Sequence, residues 1–445
     1  MNTSQFTIDL EAKLLNPNRD LSMLSAEEQY ELIMSKAGEF VNSVTSGEAL
    51  LEKLKTSKKT GIPLKVKFGI DPTGSQIHLG HAVPLLNLRL FQDMGHQIEL
   101  VIGDFTAMIG DPSGRNTERE ALTHEKVVEN MATYQKQASR ILDFESDKLV
   151  KHYNSEWMNK LTIPDWIKFQ SSISVTDVLQ REDFHKRIDA GYGITMAELE
   201  YACYMGYDSV FLNPDVELGG KDQFLNLHMC RNMMRIAGKE PEVIITYNIL
   251  SGTTGEKDDD GRFIKMSKSY KNYIAVEENP DEMYGKVMSI TDEVMWVWFR
   301  ELTRISSSDL KKLQAMVQDG SVHPKDVKQM LARVIVATFN GFDQEVVANA
   351  ENAFMSKFGK DKKLVPDDVM TVHAEAGDNI ISVLAVATGN SKSQINRLIQ
   401  GNGLKILVDE QYEVFSKEKS MLSAREFDGY VFKVGKRTYL KILID

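Results

Sequence analysis

Two short stretches carry the side chains best suited to chemistry. The first is Asp71-Pro72-Thr73-Gly74-Ser75-Gln76-Ile77-His78-Leu79-Gly80-His81. Backbone N–H groups at a helix start lack partners, which suits an anion. His78 and His81 share one face of a first helical turn, and Gly80 keeps that surface low enough for a phosphate to approach. Taken alone, the stretch fits a phosphate site or a pair of capping, partly buried histidines. Zinc is disfavoured, because the glutamate of the His-Glu-x-x-His pattern is missing and no third ligand is evident. The second stretch is Lys265-Met266-Ser267-Lys268-Ser269, preceded by Gly252-Thr253-Thr254-Gly255 and Asp258-Asp259-Asp260-Gly261. Its two lysines could swing onto a polyphosphate, or they could form a solvated surface.

The surrounding pattern supplies the elements to position them. Leu64 to Ile70 reads as a strand, Pro72-Thr73-Gly74 as a turn, and His78 to Met94 as a helix with Val83, Leu86, Leu90 and Met94 at helical spacing. Gln97 to Gly103 reads as a strand, Thr123 to Phe144 as a long helix, and Lys148 to His152 as a strand. Val216 to Leu218 and Val243 to Tyr247 are later strands around a helix from Asp222 to Ile236. This alternation predicts a parallel sheet covered on both faces, with ligands at the carboxyl ends of its strands. Strand signals vanish after about residue 276, where Asp281 to Met288, Ser308 to Val317 and Pro324 to Phe339 read as helices. A last unit begins near Gly377, with helices over Asn379 to Ala387 and Ser391 to Gln400 and strands near Leu404 to Val408 and Tyr430 to Ile444.

Together, and in this order, the two chemical stretches resemble the paired signatures of class I aminoacyl-tRNA synthetases. Ile102-Gly103-Asp104-Phe105-Thr106-Ala107-Met108-Ile109-Gly110-Asp111-Pro112-Ser113-Gly114-Arg115, Gly206 to Val210 and Asp215 to Asn226 narrow the resemblance to bacterial tyrosyl-tRNA synthetases. Ser391-Lys392-Ser393 and Asn396-Arg397-Leu398-Ile399 resemble the S4-like RNA-binding module that ends many of them. The likeness runs from about residue 60 to the C-terminus.

The resemblance implies an α/β fold: a doubly wound, Rossmann-like catalytic domain over residues 61–275, a helical anticodon-side domain over 276–370, and a small α+β S4-like RNA-binding domain over 377–445. Residues 1–60 form an N-terminal helical extension of unassigned role. The implied activity joins tyrosine to its tRNA, tRNA(Tyr), through an ATP-derived adenylate, with Mg2+ bound with the ATP. Thr73, His78, His81, Arg115, Arg119, Lys265 and Lys268 would act on the triphosphate. Gly69, Asp71, Gly80, Gly220, Asp222, Met266 and Ser267 would hold the nucleotide. Asp111, Tyr201, Met205, Asp208, Gln223 and Lys67 would surround the amino acid. Lys392, Arg397, Lys405, Lys433, Lys436 and Arg437 would meet RNA phosphates. The chain departs from the family pattern at Met205, where a glutamine is usual, and from some relatives at Ala202, Lys221 and Lys67. A thioether cannot supply an amide's donor and acceptor. Two alternatives therefore stand beside the tyrosine reading: a paralogue for another or modified aromatic amino acid, and a non-catalytic RNA-binding protein on a synthetase scaffold.

Bulk properties agree with this class. The 445 residues are 42% hydrophobic and 26% charged, with a formal net charge of -11. Two cysteines, Cys203 and Cys230, cannot make a disulfide framework. The longest apolar runs, such as Ile380 to Ala387, are far shorter than a membrane span, and Met1 to Ala12 lacks a basic region leading into an apolar one. A cytoplasmic protein without membrane attachment is expected, and the resemblance implies a homodimer.

Overall fold

The computed structural model describes residues 3–16, 20–37, 47–72, 76–113, 122–179, 181–358, 369–408, 411–417, 419–435 and 438–445. The chain divides into two compact units, Met1–Ala348 and Asn349–Asp445. The first opens with helices α1 (Thr3–Leu14), α2 (Ala26–Lys36) and α3 (Gly47–Thr60). Then come β1 (Lys65–Ile70), α4 (Leu79–Asp93), β2 (Gln97–Ile102), α5 (His124–Ala138) and β3 (Leu149–Tyr153). Helices α6 (Ser155–Met158), α7 (Ile163–Gln170), α8 (Val175–Leu179), α9 (Glu182–Asp189) and α10 (Met196–Leu212) lead to β4 (Val216–Gly220), α11 (Phe224–Ile236) and β5 (Val243–Tyr247). The remainder is helical: α12 (Pro280–Ser289), α13 (Asp292–Leu302), α14 (Ser307–Gln318), α15 (Pro324–Phe339) and α16 (Gln344–Phe358), which continues into the second unit.

The five strands form one parallel sheet in the order β3-β2-β1-β4-β5. Both faces of the sheet are buried: one carries Val66, Ile98, Leu100, Val216 and Leu218, and the other carries the charged Lys67, Glu99 and Glu217 beside apolar Val101 and Ile244. The strand order reverses between β1 and β4, so a crevice opens at their carboxyl ends. The strands lie where the sequence pattern puts them. Helix α5 stops at Ala138 rather than Phe144, because the chain turns there and buries Ile141 and Leu142. The segment from Ser155 to Leu212, whose helices carry no clean apolar period, holds five helices the pattern did not separate.

Residues 1–60 are part of the first unit's core. Buried Lys36 donates to the carbonyls of Arg300 (3.0 Å) and Ile305 (2.7 Å), and Glu11 pairs with Arg333. Helices α12 to α15 fall in the same compact unit as the sheet.

Helix α10 forms one wall of the crevice and has well-defined ends. Thr195 and Glu198 close a capping box at its start, and Asn213 (φ 50°) takes the left-handed conformation that ends it. Glu198 also receives Arg187, at 2.6 Å, in a nearly dry setting.

The second unit holds β6 (Met370–Ala374), α17 (Ile380–Thr388), α18 (Lys392–Gln400), β7 (Leu404–Val408), β8 (Gln411–Val414), β9 (Val431–Val434) and β10 (Thr438–Ile444). Its sheet runs β6-β10-β9-β7-β8. Ile380, Leu384, Ile395, Leu404, Phe432 and Leu440 make its core. Among the described residues, no helix is long and apolar enough to cross a membrane.

Replacing Glu198 by alanine removes both the capping box and the carboxylate opposite Arg187. Breaking a buried pair from one side typically costs about 3–5 kcal/mol. Denaturant unfolding of Glu198→Ala should show that loss; a change within about 0.5 kcal/mol would mean the pair does not anchor α10.

Candidate active site

A cavity of about 690 Å³ opens at the carboxyl ends of β1, β2 and β4. Its wall includes Gly69 and Asp71 after β1, His78, Gly80 and His81 at the start of α4, and Thr106 and Asp111 beyond β2. Tyr201, Met205 and Asp208 contribute from α10, Gly220, Asp222 and Gln223 from the end of β4, and Lys265, Met266, Ser267 and Lys268 from the later loop. The two stretches singled out in the sequence therefore face one space.

At one end the histidines act as a linked pair. The N–H of Gly80 donates to Nδ1 of His78 (3.1 Å), and the N–H of His78 to Nδ1 of His81 (3.4 Å). Assigned from these bonds, each ring carries its proton on Nε2. The rings stack with centroids 3.8 Å apart. A Cβ on residue 80 would come within 2.9 Å of the His78 ring, so only glycine allows this closeness. Burial, then His81, then Lys268 pull the His78 pKa down to about 3. Burial and Lys268 pull His81 down to about 4. Both are neutral hydrogen-bond donors at neutral pH, which combines the capping and phosphate readings of this stretch.

The lysine loop is held by its backbone. Met266 donates to the Leu250 carbonyl (2.8 Å), and buried Asn272 accepts from the Ser267 N–H (2.8 Å) and donates to the Lys265 carbonyl (3.1 Å). Met266 is buried while Lys265 and Lys268 are exposed, so the loop is pinned and its cations remain in solvent at the cavity mouth.

The other end is a layered polar pocket. Tyr201 Oη and Thr106 Oγ1 each donate to Asp71 at 2.9 Å. A Cβ at residue 103 would stand 2.0 Å from Asp71 Oδ1, so Gly103 is what admits this carboxylate. Asp111 accepts from Gln223 Nε2 (2.7 Å), the Ser113 N–H (2.9 Å) and Asn226 Nδ2 (3.3 Å). Asp208, 3% exposed, accepts from Trp157 Nε1 (2.8 Å) and Asn154 Nδ2 (3.5 Å). Burial pushes Asp208 up to about 7, against the pull of Lys67, Trp157 and Asn154.

Four donors and braces escaped the sequence reading. Asn154 is fixed by the Phe105 N–H (2.9 Å), and Trp157 by an apolar cluster with Val101, Met158 and Leu212. Arg181 clamps Asn226 and Ser113 behind Asp111, and Asn272 braces the lysine loop. Asn226 closes the quoted Asp215 to Asn226 stretch; the others carry no local motif and are recognisable only through their partners.

One assignment needs correction. Lys67 is absent from the cavity wall. It is fully buried beneath α10, where Glu217 draws it to 2.8 Å. The expected RNA set also divides. Lys405 and Lys433 are register partners on the sheet, and each alternates with core residues, Leu404 and Ile406 or Phe432 and Val434. They face away from that core, whereas Lys392 and Arg397 are exposed on α18, which packs into it. Thr73, Arg115, Arg119, Lys436 and Arg437 lie outside the described residues.

A doubly wound sheet with paired neutral histidines and two loop lysines at one cavity defines a nucleotide-handling enzyme of the synthetase type. The family described as tRNA synthetases class I (W and Y) matches residues 58–358, and the chain belongs to it. It is 40% identical to a tyrosine--tRNA ligase of Bdellovibrio bacteriovorus over 95% of this chain and 100% of that one. It is 39% identical to the tyrosine--tRNA ligase of Thermotoga maritima over 94% and 98% of the two chains. Among solved structures, a C-terminally truncated Aspergillus nidulans mitochondrial tyrosyl-tRNA synthetase shares the fold (TM-score 0.58, 18% identity, 80% of this chain and 100% of that one). So does a tyrosyl-tRNA synthetase from Archaeoglobus fulgidus complexed with L-tyrosine (TM-score 0.55, 18% identity, 73% and 100%).

Because both histidines are held neutral, NMR titration of their rings should show no midpoint near the ordinary value of about 6.5. A midpoint there on either ring, between about pH 5 and pH 8, would overturn the neutral-donor assignment.

Proposed function

We infer that the protein is a tyrosine--tRNA ligase. The observation that carries the amino-acid choice is Asp208: a buried carboxylate on the cavity wall, with two fixed donors and acceptor capacity to spare for a ligand hydroxyl. An amino acid without that hydroxyl leaves the carboxylate short of a partner, a discrimination for which tyrosine-specific synthetases are the standard example.

In the first step the tyrosine carboxylate attacks the α-phosphorus of ATP and pyrophosphate leaves. In the second, a terminal ribose hydroxyl of tRNA attacks the acyl carbonyl and AMP leaves. The carboxylate is already ionised at neutral pH, so the enzyme needs no side-chain nucleophile. Its tasks are in-line positioning and stabilisation of the charge on the leaving phosphates. His78 and His81 donate Nε2–H to the triphosphate, and Lys265 and Lys268 close over the pyrophosphate. Tyr201 and Asp111 hold the ammonium, Gln223 the carboxylate, and Asp222 a ribose hydroxyl. Thr73, Arg115 and Arg119 join the phosphate side. Mg2+ bound with the ATP would neutralise further charge on the phosphates; His78, His81, Lys265 and Lys268 offer it no oxygen ligand, so it would be held chiefly through the phosphates.

The exposed Lys392 and Arg397 of α18 support binding of tRNA phosphates by the second unit. Exposed Ile163 and Ile167 on α7, which buries none of its residues, support a homodimer. A cytoplasmic location fits a reaction that consumes tRNA and ATP. Met205 favours a second reading, a paralogue for another aromatic amino acid, because a thioether stands on the cavity wall where the family has an amide.

Tyrosine-dependent pyrophosphate exchange with ATP tests the assignment; exchange driven only by another amino acid removes it and leaves the class. Lys268→Ala should slow adenylate formation by about 2–4 kcal/mol of barrier with little change in tyrosine KM. Unchanged single-turnover activation would show that the lysine is not catalytic. Met205→Gln should lower the tyrosine KM, since one hydrogen bond to a charged group is worth about 1.5–3 kcal/mol. An equal or higher KM would point to a rebuilt pocket and favour the paralogue.

A further inference from the structure

Beneath α10 lies a polar chamber that the proposed reaction does not use. Lys67 of β1 and Glu217 of β4 are register neighbours, both with fully buried side chains, and pair at 2.8 Å. The same ammonium donates to Ser209 Oγ (2.8 Å) and to the Met205 carbonyl (3.3 Å). Its two hydrogen bonds thus both run to the wall helix, and its third contact is the ion pair with Glu217. Ser209 Oγ donates in turn to Glu217 Oε2 (3.3 Å). Glu242 and Cys230 complete the chamber, with ligand atoms within 4.8 Å of one another and of Glu217. Such a group could hold a metal by distance alone, but the lysine ammonium is already its cation.

We propose that Lys67, with its partner Glu217, is a positioning residue for recognition of the substrate hydroxyl: it fixes the Met205 to Ser209 turn of α10 from below and supplies the positive field that keeps Asp208 a carboxylate. This rests on the tyrosine assignment. Asp208 directly precedes Ser209, so the turn that Lys67 grips is the one that aims it. The groups facing this region are Lys67, Glu217, Glu242, Cys230, Trp157 and Asn154. Glu99, the register partner of Lys67 on β2, is turned to His152.

The charge count fits. Burial, the largest single effect, pulls Lys67 down, but Glu217, Cys230, Glu242 and Asp208 together more than offset it and the lysine stays charged. Burial, then Glu217, push Glu242 well up, so this acid keeps its own proton. Burial likewise keeps the Cys230 thiol protonated. The chamber therefore holds one cation and one anion. Lys67 lowers the Asp208 carboxyl and Glu217 raises it, the lysine being the larger effect.

The test is the tyrosine KM in pyrophosphate exchange across the neutral pH range. In the wild type it should rise as pH falls through about 7, where Asp208 takes up a proton. Lys67→Met should move that midpoint up by about one pH unit, with the ATP KM little changed. Glu242→Gln, the shape of a neutral acid, should leave the midpoint in place. Should Lys67→Met not fold, Glu217→Gln decides: removing a negative neighbour should not raise the midpoint. The proposal is overturned by a KM in Lys67→Met raised equally at every pH, by a midpoint shift in Glu242→Gln, or by an upward shift in Glu217→Gln. Wild-type protein without tyrosine-dependent exchange would instead remove the tyrosine assignment itself.

Discussion

The parallel pairing of β1 with both β2 and β4 is the constraint on which the cavity depends. Because the strand order reverses there, the chain leaving β1 and the chain leaving β4 diverge and leave a crevice between them. Asp71 and the α4 start come from one side, Gly220 and Asp222 from the other. Parallel strands also bring every carboxyl end to the same edge, so residues far apart in sequence meet without long loops. The late lysine loop joins them through isolated bridges, His78 with Ala275 and Ser251 with Lys265. An antiparallel partner for β1 would have sent half of these groups to the opposite edge.

The site divides its charges by mobility. Donors that must be present before ligand arrives are neutral, and neutral imidazoles are far cheaper to desolvate than imidazolium ions. The full cations, Lys265 and Lys268, stay hydrated at the mouth until a polyphosphate can replace their water. The carboxylates follow the opposite rule. Asp71, Asp111 and Asp208 are each held by fixed protein donors. Those donors are themselves locked: Asn154 by a backbone N–H, Trp157 by its apolar cluster, Asn226 by Arg181. The cavity wall therefore rests on a second ring of residues behind it.

That second ring marks the limit of what the sequence discloses. Strands, the α4 start and the lysine loop have local signals: apolar runs, a turn, a Gly-rich segment. The residues lining the cavity were legible because they belong to those segments or match a family motif. Lys67 was not, since a lysine in a strand reads equally as a ligand contact or as a surface charge. Only the register with Glu217 places it in a buried pair. The helices between β3 and α10 were likewise obscured. Helix α7 buries none of its residues, so its apolar positions do not report a core within this chain. Helices α12 to α15, which in sequence stand apart because strand signals end, pack with the sheet and the N-terminal helices in one compact unit.

Two of the departures from the family pattern, Met205 and Lys67, meet at one peptide group. The Met205 side chain faces the cavity, while its carbonyl accepts from Lys67 on the far side. The backbone contact does not depend on which side chain residue 205 carries. Helix α10 is thus held from below by Lys67 and at its ends by Thr195 and Asn213, whatever the cavity offers at this position. A change at residue 205 can alter the chemistry of the amino-acid pocket without releasing the helix that aims Asp208. Anchoring by the main chain separates the stability of the wall from its specificity, which allows a synthetase scaffold to tolerate an apolar side chain at a recognition site.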